Sequence, residues 1–103
     1  LMAAIPKDRE AVFAYAVRWG EYDRAPADAR ARVAGWVGKK IRELLGQEEP
    51  SFCEFILEQV ALHAPAAAML ARLQDVLDED AGAFVTKLFQ VLIFETEKCA
   101  AAE

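Results

Sequence analysis

Apolar residues recur every three or four positions along most of the chain, which is the spacing of one face of an α-helix. The clearest example predicts a helix from about Ala29 to Leu45, with Asp28 as a plausible N-cap and Gly46 at the left-handed C-terminal position. Its apolar face consists of Val33, Trp36, Val37, Ile41, Leu44 and Leu45. The segment is therefore predicted to be an amphipathic helix with one buried side.

Three further helices are predicted after it. Ser51 and Glu54 have the spacing of a capping box and mark the start of the second helix, which Pro65 ends. A third helix is expected from about Ala66 to Leu77. The fourth is predicted to begin at Asp78, where acidic residues suit a helix N-terminus. Its apolar residues cover nearly the whole circumference, which is typical of a helix in the middle of a bundle.

The chain before the first long helix has a weaker pattern. Residues 7–19 could form a short helix that Gly20 ends, and the segment around Pro26 is irregular. The short connections between the long helices favour antiparallel neighbours. The sequence thus predicts an all-α, four-helix bundle with an N-terminal extension that could include a short helix.

Length and composition agree with this fold class. A chain of 103 residues fits one domain, and its low content of glycine and proline favours helices over sheets. No apolar run approaches the roughly 20 residues that cross a bilayer, so no membrane association is expected. Two cysteines do not make a disulfide framework, which indicates a reducing compartment.

The order of domains follows from the same pattern. Residues 1–12 are expected to be a remnant of cloning or a flexible lead-in, because the chain begins with Leu1 rather than methionine. Residues 13–98 are predicted to form a single domain. Residues 99–103 are predicted to be a frayed C-terminal tail.

The net charge of −5 is distributed unevenly. Residues 24–42 contain six basic residues and one acidic residue, whereas residues 43–103 contain three basic and twelve acidic residues. The charge of the whole domain therefore disfavours nucleic acid as a partner, and one stretch alone favours it.

That stretch carries the candidate binding residues. Arg32, Lys39 and Arg42 fall together on the side of the predicted helix opposite the core. They form either a solvated surface or a phosphate-binding track that Arg30 and Arg24 would extend.

Other residues of the same helix are interpreted as structural. Lys40 projects close to the apolar face, so it must extend to solvent or pair with an acid of another helix, for which Glu95 and Glu97 are candidates. Trp36 lies at the margin of the apolar face and is expected to pack in the core. The residues predicted to serve the structure are Trp36, Lys40, Gly46, Ser51 and Glu54.

Two glycines, Gly35 and Gly38, lie close to Trp36 in this helix. Each costs roughly 1 kcal/mol relative to alanine inside a helix. We interpret them as positions where a neighbouring segment comes close. The aromatic stretch at residues 13–19 is the candidate for that segment.

No arrangement of residues indicates catalysis. His63 is the single histidine, has no ligand partners at metal-binding spacing and is expected to cap the end of the second helix. Glycine-rich phosphate loops and nucleophile elbows are also lacking in the sequence. The chain is therefore predicted to be neither an enzyme nor a binder of metals or cofactors.

Three stretches, in the same order and with matching separations, resemble the PWI domain family. "GWVGKKIRELLGQEEPSFCEFI" resembles its signature region, although Gly35 and Val37 stand where the naming triplet has proline and isoleucine. "LQDVLDEDAGAFVTKLFQVLIFETE" resembles its last helix. "FAYAVRW" resembles the lead-in of one branch, the C-terminal PWI domains of splicing regulators that also carry an RNA-recognition motif.

The resemblance implies a four-helix bundle from a nuclear pre-mRNA processing protein. It implies weak binding of RNA, and of DNA, with little sequence preference and with help from a basic flanking segment that these residues do not include. Splicing proteins are expected partners, and the domain is expected to be monomeric. The alternative is a protein-interaction module of a splicing assembly that makes no direct contact with nucleic acid.

Overall fold

A computed structural model describes residues 5–101 and contains, within that range, six α-helices and no strand. In chain order they are α1 (Arg9–Ala14), α2 (Trp19–Arg24), α3 (Ala27–Leu45), α4 (Pro50–Ala61), α5 (Ala66–Leu77) and α6 (Asp80–Ala101). The four long helices α3–α6 are those that the periodicity predicts, and α1 and α2 make up the N-terminal extension. The predicted all-α fold is confirmed.

Helix α6 is the central element of the fold. It packs against α1, α2, α3 and α5. An apolar surface that extends around a helix is removed from water only when other elements surround that helix. This requirement is the reason for the central position of α6. Its buried apolar side chains are Ala81, Phe84, Val85, Leu88, Phe89, Leu92 and Ile93.

The N-terminal extension contains two short helices rather than one. The side chain of Asp8 caps α1 by accepting a hydrogen bond of 2.8 Å from the backbone N–H of Ala11. The chain then becomes extended at Tyr15 and begins a new helix at Trp19. Gly20 lies in the first turn of α2, so the prediction that it ends a helix is wrong. Tertiary packing determines the path of the chain here, because the rings of Trp19 and Phe89 of α6 pack edge to face with their centroids 6.1 Å apart.

Helix α1 contributes to the core. Val12 is completely buried in the cluster of apolar residues that holds the helices together. Core packing therefore includes a residue of the segment 1–12. At the other end, α6 continues to Ala101. Residues 1–4 of the predicted lead-in and 102–103 of the predicted tail lie outside the described residues.

The capping box that the sequence predicts for α4 is wrong. The helix begins at Pro50, one residue earlier, and Glu49 occupies the N-cap position without a side-chain cap hydrogen bond. Ser51 and Glu54 therefore lie inside the first turns. Proline accounts for the shift, because its fixed backbone angle suits the first helical position and its missing N–H is not needed there.

Two aspartates also differ from their predicted roles. Pro26 is the N-cap of α3, and Asp28 lies within the first turn. Asp78 ends α5 with a positive backbone φ of 50° instead of beginning the last helix, which starts at Asp80.

His63 lies in the link between α4 and α5 and contacts α2. Helix α4 ends at Ala61 and Leu62 is its C-cap, so His63 follows the helix and does not cap it. Its ring stacks on Trp19, with centroids 4.9 Å apart, and its Nε2 lies 2.9 Å from Oδ1 of Asp23. The histidine therefore joins the N-terminal extension to the bundle.

The interpretation of Gly35 and Gly38 as sites of close approach is wrong. No atom of another element lies within 4 Å of a Cβ placed at either glycine. The aromatic stretch that was expected to cover them packs on α6 instead, where the hydroxyl of Tyr15 donates to Glu97 at 3.0 Å. Both glycines therefore carry their helix cost without a packing benefit.

Alanine at either position is expected to stabilise the protein by about 0.5–1 kcal/mol, because it restricts the unfolded chain and meets open space in the folded one. Gly46→Ala is the matched control. Gly46 ends α3 at φ 79°, so a side chain there should cost about 1 kcal/mol. Urea denaturation measures all three variants, and a loss of stability in Gly35→Ala or Gly38→Ala would contradict the open space around them.

Candidate nucleic-acid interface

Helix α3 is unbroken, and its buried side determines which residues face the solvent. Val33, Val37 and Ile41 are fully or almost fully buried against the rest of the bundle. Lys39 and Arg42 lie on the opposite side and are exposed. They are three residues apart, which makes them neighbours on the helix surface. Among residues 5–101 neither side chain is in an ion pair, so both charges are available to a ligand.

Arg32 lies on the same side of α3 but is committed to a structural contact. Its Nε and Nη2 donate to the two carboxylate oxygens of Glu95 at 3.1 and 3.0 Å. The Glu95 side chain is only 8% exposed, so Arg32 compensates a carboxylate within the interface between α3 and α6. The hydrogen bond to Glu95 is the main cause that raises the pKa of Arg32. Arg32 thus offers a ligand part of its surface while its charge is neutralised.

The other two predicted binding residues do not extend this surface. Arg30 is nine residues from Lys39, and at about 100° per residue the two positions lie on opposite sides of α3. Arg24 belongs to α2 and pairs with Glu21 of the same helix. The structure therefore brings Lys39 and Arg42 together and separates Arg24 and Arg30 from them.

Lys40 pairs within its own helix. Its Nζ lies 3.7 Å from Oε1 of Glu43, one turn further along α3. Of the two alternatives that the sequence leaves for Lys40, the one that pairs it with Glu95 or Glu97 is therefore wrong. Glu95 is held by Arg32, and Glu97 accepts hydrogen bonds from the N-terminal extension. The preferred direction of a side chain follows from helix geometry, but the register of the neighbouring helix decides which acid it meets.

Trp36 packs at the margin of the bundle. Its ring stacks on Phe84 of α6 with centroids 5.4 Å apart and an angle of 26° between the planes. The indole remains partly exposed and forms one wall of a groove.

The sequence did not predict this groove, which we call the α3–α6 groove. It has a volume of about 580 Å³. The signal that could have indicated it is the apolar circumference of α6, which exceeds the surface that its neighbours cover. Its lining residues are Ile5, Lys7, Arg32, Trp36, Lys87, Gln90, Val91, Phe94 and Glu95.

The model of the PWI domain family matches residues 32–99, from the second turn of α3 to near the end of α6. The chain belongs to the PWI domain family. It is 41% identical over 101 residues to RNA-binding motif protein 25 of Arabidopsis thaliana. The aligned residues make up 98% of the chain and 11% of that protein. It is also 35% identical over 97 residues to RNA-binding protein 25 of Homo sapiens. These residues make up 94% of the chain and 11% of that protein.

A more distant relative is the U1 snRNP-associated protein usp107 of Schizosaccharomyces pombe, 28% identical over 92 residues, which are 89% of the chain and 13% of that protein. This PWI domain therefore spans about a tenth of the length of the relatives it matches. The similarity to the plant protein covers more residues than the family model does, so it includes most of the N-terminal extension.

The exposed cations of α3 and most of the lining of the α3–α6 groove lie in the matched part of the PWI domain, whereas Ile5 and Lys7 of the groove precede it. Lys39, Arg42, Trp36 and Phe94 fall within residues 32–99, whereas α1 and α2 precede it. Across residues 5–101 no group of three or more histidine, cysteine or acidic side chains could hold a metal ion. Within the same range no helix is long and apolar enough to span a bilayer.

Proposed function

We propose that this PWI domain is a non-catalytic module of a nuclear splicing factor and that it binds RNA weakly, without sequence preference, through Lys39 and Arg42. The observation that carries the proposal is the pair of exposed, unneutralised cations on neighbouring turns of α3. The names of the relatives support it, since two are RNA-binding proteins and one is associated with the U1 snRNP. Contacts to phosphates alone do not distinguish RNA from DNA, so the proposal extends to binding of DNA.

The charge of the domain limits the expected affinity. The net charge of −5 repels a polyanion, and two phosphate contacts release few counterions. We expect a dissociation constant on the order of tens of micromolar or weaker at low salt. We further propose that a basic segment beside the domain in its parent protein assists binding, that splicing proteins are partners, and that the domain itself is monomeric.

The test is a fluorescence-anisotropy titration of a labelled 12-nucleotide uridine RNA at 25 and 150 mM salt. With two phosphates contacted, affinity should fall about tenfold between these salt concentrations. Lys39→Gln/Arg42→Gln should weaken binding at least about fivefold at 25 mM salt because it removes the phosphate-binding charges. The titration is repeated with a labelled 12-nucleotide thymidine DNA.

Lys7→Gln/Lys87→Gln is the matched control, because it removes the same charge from a different surface. It should change RNA affinity less than about twofold. Equal losses in the two double variants would show a response to net charge alone. The absence of binding at 25 mM salt would overturn the proposal.

The α3–α6 groove favours a second candidate, a protein-interaction module of a splicing assembly with no direct contact to nucleic acid. Apolar surface that remains open in a small domain is typical of a partner site. Under this alternative, RNA does not bind at low salt, and complexes of the full-length protein survive nuclease treatment.

A further inference from the structure

The α3–α6 groove combines an apolar interior with basic side chains at its margin. Trp36 of α3 and Phe94 of α6 form aromatic walls, and Val91 contributes aliphatic surface. Ile5 of the lead-in also lines the groove, and the lead-in is held on α6 by a hydrogen bond of 3.0 Å from Gln90 to the backbone carbonyl of Pro6. A volume of about 580 Å³ is in the range of sites that take several side chains or a small ligand.

The charge at the groove is opposite to that of the domain. Lys7 and Lys87 are exposed, and within the described part of the chain neither forms an ion pair. The one carboxylate in the lining, Glu95, is almost buried and is compensated by Arg32 and by Lys98, whose Nζ lies 3.4 Å away. A ligand in the groove therefore meets two unpaired cations and no free anion, which favours acidic partners.

The walls suit apolar side chains better than nucleobases. One face of Trp36 is occupied by Phe84, and the ammonium group of Lys98 lies 5.0 Å from the centre of the Phe94 ring. Both aromatic rings thus have reduced surface for base stacking. A base would also bring polar edges into a mostly apolar space, and an unsatisfied polar group there costs free energy. One N–H of the Gln90 amide already donates to the lead-in.

We propose that the α3–α6 groove binds an acidic, amphipathic peptide segment of a partner protein. Apolar side chains of the segment enter between Trp36 and Phe94, and carboxylates beside them pair with Lys7 and Lys87. This is the mode in which an amphipathic peptide places its apolar anchors in a groove of a folded domain. The proposal does not depend on RNA binding, because it uses different cations from those on the exposed side of α3.

The test begins with a random 12-residue peptide library displayed on phage and selected on the purified domain. We expect enrichment of peptides that combine acidic residues with leucine, isoleucine or aromatic anchors. The affinity of a selected peptide, measured by anisotropy, should fall at least about tenfold in Lys7→Gln/Lys87→Gln. It should change less than about twofold in Lys39→Gln/Arg42→Gln, which removes equal charge elsewhere. Thermal unfolding verifies that both variants remain folded.

The two tryptophans supply an internal control for the location of binding. In a ¹⁵N-labelled sample, the selected peptide should shift the indole N–H signal of Trp36, which lines the groove, and leave that of Trp19 in place. The uridine RNA should not displace the peptide.

Several outcomes would overturn the proposal. They are a selection without acidic enrichment, equal losses in the two double variants, a shift of Trp19 instead of Trp36, and displacement of the peptide by RNA. Dimerisation that buries Trp36 would also overturn it, because the occupant would then be a second copy of the chain. If the peptide results hold while RNA binding fails, the groove proposal stands and the nucleic-acid proposal does not.

Discussion

Replacing Phe84 with alanine is expected to lower the free energy of unfolding by about 4 kcal/mol. The side chain is 1% exposed and lies at the contact between α6 and α3, where it stacks on Trp36. Truncation removes apolar surface from the core and leaves a cavity that the surrounding helices fill incompletely. Because a domain of this size has a total stability of about 5–15 kcal/mol, the variant should lose between about a quarter and four fifths of it.

Phe55→Ala is the matched control for this prediction. Phe55 lies on α4 and is 38% exposed, so the same truncation should cost less than about 1 kcal/mol. Urea denaturation, followed by far-ultraviolet circular dichroism, measures both variants. Similar losses for the two would mean that Phe84 is not at the centre of the core. Because Phe84 supports Trp36, a folded Phe84→Leu variant should also bind the selected peptide more weakly than the wild type.

Val12→Asp is expected to lower the free energy of unfolding by about 3 kcal/mol. Val12 is completely buried, and an aspartate there would be an unpaired charge in the core. The cost has an upper limit, because detachment of α1 from the bundle would return the aspartate to water. The protein would then lose only the free energy gained by burying the apolar surface of α1. Arg9 of the same helix also lies against Gly82 of α6, so closely that a Cβ on the glycine would collide with its guanidinium group.

Ala14→Asp provides the control on the same helix. Ala14 is exposed, so the new charge stays in water and should cost about 0.5 kcal/mol through its position near the helix C-terminus. Chemical denaturation measures the stability, and amide hydrogen exchange reports whether α1 opens by itself. If Val12→Asp costs no more than Ala14→Asp, α1 is not part of the folded unit.

The four long helices could be predicted because each is encoded locally. The spacing of Val33, Val37 and Ile41 defines one face of α3 without reference to any other element. The apolar circumference of α6 likewise predicts its central position, since such a helix must be surrounded. The ends of helices were less predictable, because Pro50 at the first position of α4 was preferred to a cap by Ser51.

The candidate site was predictable only in part. The helical repeat correctly placed Lys39 and Arg42 on the outer side of α3. It also placed Arg32 there, yet Arg32 reaches Glu95, a residue 63 positions further along the chain. The difference depends on how α6 lies beside α3, which periodicity within one helix does not contain.

The sequence by itself therefore determined the fold class, the four long helices, the central position of α6 and the orientation of the exposed cations of α3. Only the tertiary structure decided which of those cations are neutralised, where the aromatic N-terminal stretch packs, and that a groove with basic margins opens between α3 and α6. The physical reason is that helix formation and amphipathicity depend on residues within a few turns of one another. Ion pairs and grooves between helices depend instead on the register and separation of elements that are distant in the chain.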